Sequence, residues 1–166
     1  MTERVDFYVL KSSTAKQRWT FACRLTEKAY LRDLKVVLLS ETAVDARTLD
    51  EMLWTFNERS FVPHELHGEP PAVGVAAPAA GTAAPFAGVA ASAPVRLTRD
   101  LDIIDTADLL VNLSDRLPAR WERFSRVAEI IDADDERRRL GRERFKAYRE
   151  LKVPVETHQL DEVAGP

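Results

Sequence analysis

Several short runs in this 166-residue chain place chemically able side chains close enough together to act in concert. His64-Glu65-Leu66-His67 sets two imidazoles beside a carboxylate, the residue types that ligate zinc. A zinc-protease site needs its histidines four apart on a helix with glutamate next to the first. Here they are three apart, and Pro63 and Gly68 bracket the run as a surface turn. Asp132, Asp134, Asp135 and Glu136 also cluster, at the start of a predicted helix where carboxylates cap orphan amides and favour the dipole. Asp100, Asp102, Asp105 and Asp108 read as solvated segment ends. Cys23 is the only cysteine, which excludes an internal disulfide and a thiolate metal cage. Its neighbours Trp19, Ala22, Thr26 and Tyr30 fall at helical spacing, so an inert core thiol is expected. The residues make no case for a metal, a cofactor or catalysis.

The basic run from Arg137 to Arg149 has different chemistry. Seven basic side chains stand there against Glu143, a local charge of +6 in a chain whose net charge is −3, so the remainder carries −9. Wound at about 100° per residue with Leu140 as zero, Ala147, Tyr148 and Leu151 fall within about 80° of it. Phe145, Arg138, Arg149, Arg142 and Lys146 fall between about 140° and 240°. One face packs; the other is cationic with a ring set into it. A solvated stripe is the plainer reading of such a face, and a socket for a ligand both anionic and apolar is the sharper one. The acidic majority of the chain would repel a nucleic-acid backbone, which favours a small anionic ligand or a peptide.

The elements around these residues follow from periodicity. Val5 to Leu10 and Val36 to Leu39 are β-rich, and Thr14 to Arg32 between them reads as a helix with a capping box at Thr14 and Gln17. A strand, a crossover and a strand predict a parallel pair. A second helix is expected from Ala43 to Phe56, capped by Thr42, and a last one from Asp134 to Leu151. Leu109 to Leu113, Val127 to Ile131 and the shorter Val95 to Leu97 are further strand candidates. The alternation predicts an α/β fold with a three-layer, open, mainly parallel sheet.

Such a sheet raises the question of nucleotides, whose phosphates need glycines in the first turn after a strand. The turn here reads Lys11-Ser12-Ser13-Thr14, and no glycine precedes Gly68. The expectation is a nucleotide-binding-like fold without a nucleotide site. Residues 70 to 94 break the pattern with 11 alanines, five prolines, three glycines and no charge. A disordered loop inside one domain spanning 1–166 is expected, because small side chains bury too little area to offset ordering. Residues 152–166 read as a short tail. No apolar run reaches the ~18 residues of a membrane span, and the first residues lack a secretory layout, so a cytoplasmic protein without membrane attachment is expected. Trp54, Phe56 and Phe61 crowd a helix end and the loop after it, where rings are core more often than partner anchors.

Three segments in order carry a family resemblance: Leu49-Asp-Glu-Met-Leu-Trp54, Ser60-Phe-Val-Pro-His64 and Arg142-Glu-Arg-Phe-Lys-Ala-Tyr-Arg149. Together with the opening Phe7-Tyr8 strand they resemble the chi subunit of bacterial DNA polymerase III, from that strand to about Leu151. The resemblance implies a non-catalytic accessory of the clamp-loader assembly in DNA replication, in the bacterial cytoplasm. It implies two partners. The acidic C-terminal tail of single-stranded DNA-binding protein (SSB) would fall on Arg138, Arg142, Phe145, Lys146 and Arg149. The psi subunit would face Trp54, Phe61, Val62 and Pro63. DNA would be reached through SSB, and the chain would be a monomer or a 1:1 heterodimer with psi. The family motif usually has tyrosine where this chain has Phe145, which keeps the ring and removes a hydroxyl. The alternative function is a direct nucleic-acid-binding module using the same basic helix.

Overall fold

The structure, a computed structural model, describes residues 2–11, 14–59, 61–66, 93–104 and 107–160. Seven strands form one sheet: β1 (Arg4–Leu10), β2 (Val36–Leu39), β3 (His64–Leu66), β4 (Val95–Thr98), β5 (Ala107–Asn112), β6 (Phe124–Ile131) and β7 (Val155–Leu160). Their spatial order is β3-β4-β2-β5-β6-β1-β7, and every neighbouring pair is parallel. The helices among the described residues are α1 (Ala15–Tyr30), α2 (Ala43–Thr55) and α3 (Asp135–Glu150). The expected α/β class holds.

Side chains alternate across the central strands into two cores. Leu38, Val111 and Ile130 face Cys23 of α1 and Leu49 and Leu53 of α2. Val5, Phe7, Leu110 and Val127 face Tyr148 of α3, with Trp121 and Phe124 from the loop side. Short 3-10 turns at Leu101–Ile103 and Trp121–Arg123 close that second layer, because the β5-to-β6 crossover carries no α-helix.

Four local expectations change. Strands β1 and β2 run parallel but are not neighbours; β5 and β6 lie between them. Thr14 sits at the start of α1 in extended geometry, yet its hydroxyl caps no helix amide, whereas Thr42 accepts from Asp45 N at 3.1 Å as expected. His64 to Leu66, read as a turn, forms edge strand β3 against β4. Residues 155–160, left in the tail, form β7 against β1 with Tyr8 opposite His158. The chain reaches β7 through a helix stop at Lys152, whose φ of 61° lets Val153 N bond Tyr148 O and Lys152 N bond Arg149 O. Ser12, Ser13, His67, Asp105, residues 70–92 of the alanine-rich segment and residues 161–166 of the tail lie outside the described residues.

Candidate functional site

The basic helix is seated by charges that it hides. Arg144 of α3 is buried, and its Nε donates to Glu129 Oε2 of β6 at 3.0 Å. Tyr148 Oη donates to Glu129 Oε1 at 2.9 Å, and Asn112 Nδ2 of β5 donates to the same carboxylate at 2.9 Å. Burial pushes the Glu129 carboxyl up, against the Arg144 charge and the hydrogen bonds from Asn112, Tyr148 and Arg144, which favour its ionised form. Arg144 Nη1 also donates to the Asp115 carbonyl at 3.0 Å, tying the loop after β5 to the helix.

This network rotates the packed face away from the one that periodicity predicts. The buried positions are Gly141, Arg144 and Tyr148, while Leu151 is 55% exposed. The face turns by roughly 50° because a buried ion pair and a close backbone approach outweigh Leu140 and Leu151. Gly141 supplies the approach: a Cβ there would run into Ile131 Cδ1 of β6.

Two more basic side chains are committed elsewhere. Arg137 Nη2 meets buried Asp132 at 2.8 Å, and Arg139 meets Glu136 at 2.6 Å and Glu143 at 3.0 Å. Asp132 is therefore an ion-pair partner rather than a cap; the cap is Asp134, which accepts from Arg137 N at 2.9 Å. Four cations of α3 remain without a salt-bridge partner among the described residues: Arg138, Arg142, Lys146 and Arg149.

Arg138, Arg142 and Phe145 line one cavity of about 290 Å³ together with Gly141. Its floor is Phe7, Val9 and Ile131, and its far wall is Thr157 and Gln159 of β7. Phe145 is half-buried and packs edge-on against Phe7 at 5.2 Å, while Arg149 lies over the Phe145 ring at 5.9 Å. Arg138 Nε donates to the Asp132 carbonyl at 3.2 Å, which fixes that side chain. Arg142 and Lys146 are exposed, and Lys146 and Arg149 stand outside the cavity lining. The arrangement offers positive charge at the rim of a small, partly apolar pocket, with room for about one side chain.

The aromatic surface lies at the end of α2. Trp54 and Phe61 are 48% and 68% exposed, with ring centroids 5.3 Å apart, so the core reading of both is corrected. Phe56 stays partly buried against the first core. Val62, expected beside Phe61 on a partner-facing surface, is fully buried in that core and cannot touch a partner; Pro63 is half-buried. His64 packs on Trp54 at 4.4 Å. Its Nδ1 faces the Val62 carbonyl at 2.7 Å and its Nε2 faces the Asp50 carbonyl at 3.0 Å, so both nitrogens are taken and neither is offered to a metal.

Among the described residues, Asp6, Glu156 and His158 bring three ligand atoms within 4.8 Å of one another. Arg126 and Arg4 already meet the Asp6 carboxylate at 2.9 and 3.1 Å, which makes the cluster an ion-pair network tying β7 to β1. Cys23 is buried, and burial pushes its thiol up to about 12, consistent with an inert core residue. Sequence reasoning missed Glu129, Gly141, Thr157 and Gln159. Glu129 had a signal, as a carboxylate inside the apolar run Val127 to Ile131.

The family model described as DNA polymerase III chi subunit, HolC, matches residues 1–156. The DNA polymerase III subunit chi of Pseudomonas aeruginosa is 33% identical over 160 residues, covering 96% of this chain and 99% of that one. Those of Haemophilus influenzae and Escherichia coli are each 27% identical, covering 90% and 89% of this chain and 92% and 91% of theirs. Among solved structures, T4 UvsW and yeast Dbp5 superpose with a TM-score of 0.60 at 9% and 12% identity, over 96% and 97% of this chain. This chain spans 42% of each of them, and the likeness is one of fold alone. Family model and relatives agree across nearly the whole length: the chain belongs to the DNA polymerase III chi subunit family.

Proposed function

We propose that this chi-family chain is a non-catalytic adaptor of the clamp-loader assembly in the bacterial cytoplasm, holding the acidic tail of SSB on α3 and the psi subunit at the end of α2. The observation that carries this reading is the cavity shared by Arg138, Arg142 and Phe145, beside cations that no carboxylate of the described residues neutralises. The tail's terminal carboxylate meets Arg142 and Lys146, its last ring enters the pocket beside Phe145, and its upstream aspartates sit in the field of Arg138 and Arg149. A charge-assisted hydrogen bond contributes ~1.5–3 kcal/mol, and burying a phenyl ring about as much. After the cost of ordering a flexible peptide, the remainder corresponds to roughly micromolar binding. Several tails on one SSB assembly raise the effective concentration, so a weak contact suffices to hold the polymerase near coated template.

Support for the psi side is the exposed Trp54–Phe61 pair, since large exposed rings backed by a rigid core are typical anchors. The deciding experiment is calorimetry of the whole chain with an SSB tail peptide bearing a free or an amidated C-terminus, on wild type and Arg142→Ala. The expected result is that amidation and the substitution each weaken binding, and that their effects do not add. Equal affinity in all four combinations would remove the carboxylate contact. Tight, steeply salt-dependent binding of bare single-stranded DNA would favour the nucleic-acid reading instead.

A further inference from the structure

A cavity of about 850 Å³ forms a groove on the sheet face opposite α3, and neither proposed partner uses it. On this face α1 packs over β2, β5 and β6, and α2 over β3 and β4. Six inter-strand gaps of about 4.8 Å make a seven-stranded sheet ~29 Å wide, whereas two helices packed 8–10 Å apart cover about 20 Å of it. About one helix width beside α1, over β1 and toward β7, is thus left without a helix among the described residues. The groove lies on the α1 side of that gap, over β1, β6 and the start of β5. Its apolar floor includes Tyr8, Phe21, Leu25 and Leu109.

One wall is a row of cations. Arg24, Lys28 and Arg32 follow at four-residue intervals on and just after α1, so they rise about 6 Å apart along one edge. Among the described residues none of the three has a hydrogen bond or ion pair from its side chain. The opposite wall carries Glu3, Asp6 and Asp108 together with Arg126, whose Nε is buried without a hydrogen-bond partner. Asp6 is neutralised by Arg126 and Arg4, but Glu3 and Asp108 stand across from the cation row, so a backbone charged along its whole length would meet them. A helix, in contrast, can turn its carboxylates to the cations and an apolar stripe to the floor.

We propose that this groove is a third docking site, for an acidic amphipathic helix of a partner protein. The helix lays its apolar stripe on Tyr8, Phe21 and Leu25 and points carboxylates spaced four residues apart at Arg24, Lys28 and Arg32. It lies on the other face of the sheet from the cavity of α3, so both can be filled at once.

The test is a titration of the whole chain, followed by NMR, with an amidated helical peptide of about 16 residues. It carries glutamates at every fourth position along one edge and leucines along the other; a lysine-for-glutamate version and an oligothymidylate serve as competing probes. The glutamate peptide is expected to bind with shifts centred on Leu25 and Leu109, and the lysine version not to bind. Combined Arg24→Glu, Lys28→Glu and Arg32→Glu should weaken it at least about tenfold. The milder set Arg24→Gln, Lys28→Gln and Arg32→Gln, checked for an unchanged melting temperature, should weaken it about threefold. Equal affinity for both peptides, unchanged affinity in both variant sets, preference for the oligothymidylate, or self-association of the chain through these residues would each overturn the proposal.

Discussion

On α3 the cations stand at the rim of a cavity lined by four elements, α3, β1, β6 and β7, whereas at the end of α2 two rings lie open on the surface. The first surface is held in place by a buried ion pair below it, Arg144 with Glu129, to which Tyr148 and Asn112 donate hydrogen bonds. The second is held by an apolar support and a clamped ring, Val62 in the core and His64 between two carbonyls. A charged surface acts at a distance and fades with salt, with a screening length of ~8 Å at physiological ionic strength. An aromatic surface acts only on contact and is nearly indifferent to salt. The contrast suits one partner that is met often and released, and one that stays.

The strongest way to break this contrast is to remove its hidden half. Arg144→Met leaves Glu129 buried without its counter-charge and should cost ~3–5 kcal/mol of stability, read as a lower midpoint in urea. Tail binding should fall with it, since Arg138, Arg142 and Phe145 lose their common orientation. Trp54→Ala should cost ~2–4 kcal/mol in psi binding and leave tail affinity unchanged, measured by calorimetry with each partner. Arg142→Ala should do the reverse, with a loss of ~1.5–3 kcal/mol for the tail alone. Arg149→Ala tests a finer point, because it removes the cation over Phe145 and should cost only ~0.5–1 kcal/mol.

The smallest effect concerns acid. Burial works to raise the Asp6 carboxyl, but hydrogen bonds from Arg126 and His158 and the charges of Arg126 and Arg4 outweigh it and hold it below 3.8. Its stabilising contribution is therefore complete above that pH and is lost as the pH falls through the lowered value. Melts between about pH 5 and pH 2 should show a decline that Asp6→Asn flattens. The loosened element should be β7, the strand that Asp6 ties to β1 through His158.

Legibility in the sequence followed locality. The helices and the inner strands were readable because caps and apolar runs lie within a few residues of one another; Thr42 with Asp45 is one such pair. Strand β7, Val-Glu-Thr-His-Gln-Leu, was not readable, since an edge strand with polar side chains has no apolar run to show. The separation of β1 from β2 was hidden for another reason: chain order does not encode which parallel strands become neighbours. At the basic helix the wheel grouped Arg138, Arg142 and Phe145 correctly and still misjudged the buried side. It assigned Arg144 to neither face, because the partner that draws it inward sits fifteen residues earlier in a different element.

Strand β7 has a consequence for how the protein is made. Thr157 and Gln159 close the cavity, yet they follow every other residue that lines it in chain order. A ribosome-bound chain that has already released α3 presents its cations without a pocket beside them. On the proposed function, grip on a tail's last side chain begins only once the strand after the helix has paired with β1, so competence to recruit would double as a signal that folding is done.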